Sequence, residues 1–378
     1  MPLALFALTI GAFAIGTTEF VIVGLVPTIA QQLSISLPSA GLLVSIYALG
    51  VAIGAPVLTA LTGRMPRKQL LLALMVLFTA GNVLAWQAPG YETLILARLL
   101  TGLAHGVFFS IGSTIATSLV AKEKAASAIA IMFGGLTVAL VTGVPFGTFI
   151  GQHFGWRETF LAVSILGVIV LISSLILVPN NIPGRASASL RDQLKVLTHP
   201  RLLMIYAITA LGYGGVFTAF TFLAPMMQEL AGFSPSAVSW ILLGYGVSVA
   251  IGNVWGGKLA DKHGAVSALK FIFAALATVL VMGVFAFGNV PGLQVYVVQK
   301  AEQYTPGAVD IASGLNIAAF NVGIALGSIV GGQTVERYGL AQTPWIGAMI
   351  VLVALLLVVL SGRLDKLPRR SAALSPEG

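Results

Sequence analysis

The sequence predicts an all-helical membrane protein built from two repeated halves. Three observations carry that expectation: apolar runs of helix length, basic residues gathered at every second loop, and landmarks that recur at a constant offset. Hydrophobic residues fill 57% of the 378 positions, Asp, Glu, Lys and Arg together only 8%, and mean hydropathy is +0.98. A water-facing domain carries about a quarter charged residues, so lipid is the outer solvent here. Membrane β-barrel strands alternate polar and apolar residues and give weak signals. These runs are continuous and helix-length instead, about 20 residues each.

Spans are expected near 2–30, 39–62, 69–88, 92–120, 125–151, 159–178, 202–226, 236–256, 268–299, 309–334 and 342–361. Internal Gly and Pro are tolerated in such helices. No Lys or Arg precedes the first run, 2–29, which exceeds the core of a signal peptide, so no cleavable leader is expected. With no cysteine in the chain, disulfides and thiolate metal sites are excluded. The stretch 179–201 is basic and separates six spans from the rest; its run Leu190–Leu197 is expected to lie as a short amphipathic helix on the membrane surface. The resulting division is 1–178, a first bundle; 179–201, a linker; 202–361, a second bundle; and 362–378, a tail.

The net charge of +8 raises the question of nucleic acid, and its placement answers it. Seventeen of the twenty Lys and Arg fall in short groups between spans or in the tail, from Arg64/Arg67/Lys68 to Arg363/Lys366/Arg369/Arg370. Alternate loops hold almost none apart from Arg157 and Arg337. That is the positive-inside pattern of a multispanning protein in a bacterial inner membrane with both termini cytoplasmic. No nucleic-acid partner is expected.

The repeat is visible in Tyr47-Ala-Leu-Gly-Val-Ala-Ile-Gly54 and Tyr245-Gly-Val-Ser-Val-Ala-Ile-Gly252, offset by 198, the same offset that separates Pro27 from Pro225. Gly143, Gly147 and Gly151 match Gly323, Gly327 and Gly331 at an offset of 180. The second half is therefore about 18 residues short (198 − 180), between Gly264 and Gly323. Lys262 and Lys300 both read as cytoplasmic, which demands an even number of crossings between them. The 32 residues of 268–299 are too few for two full spans. A twelve-helix protein lacking most of one span, near Ala275–Met282, is expected.

Several motifs resemble the major facilitator superfamily. Gly257-Lys-Leu-Ala-Asp261-Lys262-His-Gly264 is similar to its loop motif G-x-L-x-D-R-x-G, whose acidic and basic residues help lock the cytoplasmic side; the alternative is a solvated turn carrying topology charges. The first-half copy is degraded: Thr59, Gly63 and Pro66 replace motif residues, while Arg64, Arg67 and Lys68 remain. Arg98-Leu-Leu-Thr-Gly102 resembles the R-x-x-x-G motif tied to proton coupling. Gly143-Val-Pro145-Phe-Gly147 resembles the antiporter motif of the fifth span, and equally suits plain helix packing. Gly16-Thr-Thr-Glu19-Phe and Phe154-Gly-Trp156-Arg157 resemble the drug/proton antiporter branch, more narrowly its sugar-efflux and purine-efflux members. The resemblance covers essentially the whole chain. It implies the twelve-helix fold of two pseudo-symmetric six-helix bundles, alternating access, a small-molecule substrate, a monomer, and protons rather than any cofactor.

A charge inside the bilayer costs at least about 3 kcal/mol, so those present usually have a function. Glu19 is the one acidic residue deep in a span, and Arg98 and His105 are the other titratable groups there. Arg98 and His105, seven apart, share one helix face. Glu19 is expected to carry a proton with Arg98 as its tuner; a static Glu19–Arg98 pair is the bland alternative. A core histidine is as good a reading of His105 as a proton relay. Asp310 sits at a span end and reads as interfacial. The second half offers neutral groups, and the cavity candidates across both halves are Tyr47, Asn82, Thr137, Tyr213, Tyr245, Asn253, Asn316 and Asn321. Such amides and phenols suit the hydroxyls or ring nitrogens of a neutral polar ligand, though each can equally bond a neighbouring helix. An uncoupled facilitator and a non-transporting receptor are the competing functions. The longest loop is too small for a sensing domain, and no catalytic spacing for an enzyme is present.

Overall fold

A computed structural model describes residues 2–58, 61–62, 65–121, 124–182, 196–263, 267, 269, 282–305 and 308–366. The described residues are helical throughout, with no strand among them. The first half comprises α1 (Leu3–Leu33), α2 (Leu37–Ile53, prolonged by a π-turn, Gly54–Leu58), α3 (Arg67–Trp86) and α4 (Tyr91–Ser118). Then come α5, one rod in three pieces (Ala125–Val138, the π-turn Ala139–Gly143, and Val144–Phe154), and α6 (Trp156–Leu177). The second half holds α7 (Pro200–Phe220, with Leu223–Pro225 and the π-turn Met226–Leu230), α8 (Pro235–His263), α9 (Met282–Tyr304), α10 (Val309–Tyr338) and α11 (Thr343–Lys366). Ten segments of the described residues are long and apolar enough to cross a membrane. The helix α11 runs past the expected boundary at 361.

Each π-turn lies beside or contains a proline: Pro56, Pro145 and Pro225. Proline has no N–H for the i→i−4 ladder, and a single wider turn re-pairs the freed carbonyls. At the end of α5 the chain reverses at Gly155, whose φ of +107° is open to glycine alone. Arg157 then donates twice to the Ala88 carbonyl (2.7 and 3.2 Å), pinning this turn to the α3–α4 loop.

The repeat seen in the sequence reappears as packing. An added Cβ at Gly143, Gly147 or Gly151 would meet Thr17, Val21 or Leu25 of α1. One at Gly323, Gly327 or Gly331 would meet the main chain at Ala210, Gly214 or Thr218 of α7. Both triplets thus lay a helix against the first helix of their half, in steps of four residues.

Directions follow from the bonds. Helices α7 and α10 run parallel, since Tyr206 donates to Ala312 O (3.3 Å), Thr209 to Asn316 Oδ1 (2.7 Å), and the Thr221 and Ser328 hydroxyls meet at 2.7 Å. Asp365 of α11 accepts from Lys300 of α9 (2.6 Å) and from Arg201 of α7, so the starts of α7 and α10 share a face with the ends of α9 and α11. Helix α8 starts at the opposite face, where Ser239 donates to Gln152 of α5 (3.1 Å), and its 29 residues return it to the Arg201 face. The chain therefore leaves α8 on one face and enters α9 on the other. The expected shortened span, near 275–282, falls outside the described residues up to Met282, as do 183–195 of the linker.

Candidate functional site

Two helices set up the site by touching backbone to backbone. A Cβ on Gly50 of α2 would lie 2.7 Å from the Leu99 carbonyl oxygen, and one on Gly102 of α4 would strike the Tyr47 carbonyl. This approach brings Tyr47 under Arg98 and His105 of α4. The Arg98 guanidinium carbon lies 4.2 Å from the Tyr47 ring centre, and the Tyr47 hydroxyl meets His105 Nδ1 at 3.0 Å. Arg98 and His105 do share a face.

Arg98 is 1% exposed, so its charge must be answered inside the protein. Its partners are main-chain oxygens: Nη1 donates to Thr18 O (2.6 Å), Nη2 to Glu19 O (3.3 Å) and Nε to Leu43 O (3.3 Å). The guanidinium fork thus ties α4 to both α1 and α2. Its bonds run to the carbonyl of Glu19, not to its carboxylate, so the static side-chain pair considered from sequence does not form. The carboxylate lies instead 3.8 Å from His105 Nδ1, and no hydrogen bond from a described residue reaches it. His105 packs on Phe109 (5.0 Å between ring centres), which packs on Phe133 of α5 (4.9 Å).

The second half contributes an aromatic wall. Phe20 of α1 meets Phe217 (6.3 Å), which stacks on Tyr213 (5.8 Å) and packs edge-on against Phe220 (5.3 Å). Phe220 stacks on Tyr245 (5.0 Å), and Tyr213 meets Phe320 edge-on (4.6 Å). Among the described residues, Tyr245 Oη on this wall and Asn321 Oδ1, next to Phe320 on α10, are buried without a hydrogen-bond partner.

The other cavity candidates separate by their bonds. Asn82 accepts from Thr18 (2.7 Å) and donates to Phe78 O (2.8 Å). Asn316 is held between Thr209 and Gln294, and Gln294 bonds Ser313. Both amides serve interhelical bonding. Thr137 is half-buried on α5. Tyr47 joins the charged cluster rather than the neutral wall, leaving Tyr213, Tyr245 and Asn321 on that wall. Asn253 lies on α8 with its side chain outside the described residues.

Of the loop-motif positions, Gly257 and Asp261 lie on α8 with side chains outside the described residues, Lys262 is exposed, and Arg64 and Gly264 fall outside altogether. Arg67 is buried at the start of α3. Lys68 donates to Leu175 O (2.8 Å) at the end of α6, where a cation suits the helix terminus. Gly143 and Gly147 pack α5 on α1 on either side of the end of the π-turn, and Pro145 is buried between them. The sequence reading passed over Asp365, which also accepts from Tyr296 (3.0 Å) and so joins α7, α9 and α11. It sits among end-of-helix charges that resemble topology signals.

The model of the Major Facilitator Superfamily matches residues 8–299. The chain belongs to this superfamily. The uncharacterized MFS-type transporter YtbD of Bacillus subtilis (strain 168) is 52% identical, the match covering 98% of each chain. The inner membrane transport protein YdhP of Escherichia coli (strain K12) is 42% identical, over 95% of this chain and 96% of YdhP. AraJ of Escherichia coli (strain K12) is 32% identical over 397 positions, covering 100% of this chain and 98% of AraJ. Among solved structures, a bacterial homolog of the human lysosomal transporter Spinster, inward-facing and occupied, superposes with a TM-score of 0.75 at 16% identity, covering 95% of this chain and 96% of the homolog. The inward-facing, unoccupied form gives 0.70. The major facilitator fold and a multi-pass membrane protein of a transporter family follow.

Proposed function

We propose that this protein is a proton-coupled exporter of small neutral or weakly cationic molecules, such as sugars, nucleosides or drugs, working as a monomer by alternating access. It sits in the inner membrane with both termini cytoplasmic, and protons are its coupling ion. The observation that carries this reading is the Glu19 carboxylate, buried in the transport core and left unbonded by Arg98. A carboxylate locked in a bidentate pair would stay charged through the cycle. One 3.8 Å from a histidine and held by no hydrogen bond from a described residue is free to change its protonation state as exposure alternates. Arg98 holds the local potential positive while its donors are spent on main-chain carbonyls. Across the site, Tyr213, Tyr245, Phe220 and Asn321 form a wall suited to a ring-bearing substrate that supplies hydrogen bonds to Tyr245 and Asn321.

The test is transport in proteoliposomes under an imposed pH gradient, across a panel of sugars, nucleosides and lipophilic drugs, comparing wild type with Glu19→Gln. Gradient-driven movement of one class, lost in the variant, is expected. Gradient-driven movement that survives Glu19→Gln keeps the exporter and removes Glu19 as carrier; movement that ignores the pH gradient in wild type leaves an uncoupled facilitator.

A further inference from the structure

Away from the transport core, a groove of about 440 Å³ opens on the seam between the two halves, at the face opposite Arg201, Lys300 and Asp365. It lies between the start of α2 and the end of α10, lined by Ser36, Pro38, Ser39 and Leu42 on one side and by Ile329, Gly332, Gln333, Val335 and Glu336 on the other. Its chemistry is graded with depth. The polar groups Ser36, Ser39, Gln333 and Glu336 lie nearest the helix ends, while Leu42 and Ile329 lie deeper.

The deep end continues into two apolar stripes. On α2, Leu42, Leu49 and Ile53 are 39%, 36% and 49% exposed; on α10, Val322 and Leu326 are 37% and 56% exposed. Spacings of three, four and seven keep each stripe on one helix face, so the groove opens onto surface that only hydrocarbon can cover. The rim carries one charge, the exposed carboxylate of Glu336, and no basic side chain lines the groove. The two helix ends are oppositely polarised: α2 presents its positive terminus and α10 its negative one.

We propose that this groove binds the headgroup of an ethanolamine phospholipid of the outer leaflet. Its primary ammonium sits at Glu336 and the C-terminal end of α10, its phosphate at the Ser36 and Ser39 hydroxyls and the start of α2, and its chains follow the Leu42–Ile53 and Val322–Leu326 stripes. A primary ammonium donates hydrogen bonds to a carboxylate and to neutral acceptors; a choline headgroup has no N–H to give. An anionic headgroup would meet Glu336 with no cation in the lining to offset it. The volume fits a headgroup and the first part of the chains rather than a whole lipid. A lipid seated here fills the joint between the halves on the face where Ser45 bonds Ala325 O, so it holds that face closed.

Native mass spectrometry of delipidated protein, titrated with phosphatidylethanolamine, phosphatidylcholine or phosphatidylglycerol, tests the site without needing the transported substrate. Wild type is expected to hold phosphatidylethanolamine about five-fold more tightly than phosphatidylcholine, the size of one exposed charged contact. Glu336→Gln should level the two, with an unchanged melting temperature reporting intact folding. Leu42→Ser should weaken all three lipids while keeping the headgroup preference. Equal retention by wild type, tighter binding of phosphatidylglycerol, or a preference that survives Glu336→Gln overturns the proposal. So does competition by soluble O-phosphoethanolamine as strong as by the lipid, since the apolar stripes would then take no part.

Discussion

At the scale of single residues, Arg98 organises the first half through oxygens that carry no mark in the sequence. Its fork reaches Thr18 O, Glu19 O and Leu43 O at once, a geometry that a point-like ammonium does not reproduce. Arg98→Lys is expected to cost about 2 kcal/mol through lost charged hydrogen bonds, read as a lower melting temperature in detergent. Tyr47→Phe keeps the ring under the guanidinium and removes the hydroxyl from His105. It should cost about 1 kcal/mol and slow gradient-driven transport, measured by initial rates. Glu19, Arg98 and His105 were legible because a titratable residue inside an apolar run is rare and costly. Their partners were not. A tyrosine is ordinary in a span, so Tyr47 gave no sign that it bonds His105 rather than a ligand, and main-chain acceptors are the same at every position.

At the scale of elements, glycine spacing decides how closely helices approach. The segment Gly143-Val-Pro145-Phe-Gly147 was readable as either antiport motif or packing, and Gly143 and Gly147 face α1. A side chain at Gly147 would start 2.6 Å from Val21 Cγ2; Gly147→Leu is therefore expected to destabilise by about 1–3 kcal/mol through overpacking, with a falling melting temperature as the readout. The π-turn Ala139–Gly143 depends on Pro145, which withholds an N–H from the ladder. Pro145→Ala should let a regular α-turn form there, seen as slower amide exchange at 139–146. The π-turns were not legible in advance: internal prolines were expected to be tolerated in the spans, but how a helix re-pairs its freed carbonyls depends on its neighbours.

At the scale of the whole molecule, Asp365 draws together the ends of α7, α9 and α11. Asp365→Asn weakens that junction, and broader distances between spin labels on α7 and α11 are the expected result; the cysteine-free chain lets labels be placed without removing native thiols. The fold was readable because it rests on bulk quantities, run length and loop charge, that survive ignorance of any contact. The repeat went further: its break from an offset of 198 to one of 180 placed the expected shortage between Gly264 and Gly323. Asp365 was missed because topology charges and a structural acid look alike in a terminal run. The guanidinium strut has a last consequence for how such a protein diversifies. Its hydrogen bonds to α1 and α2 run to peptide oxygens alone, and so do not depend on which side chains stand at positions 18 and 43. Replacements there can repack the surroundings of the fork while the bonds that tie α4 to α1 and α2 are inherited unchanged.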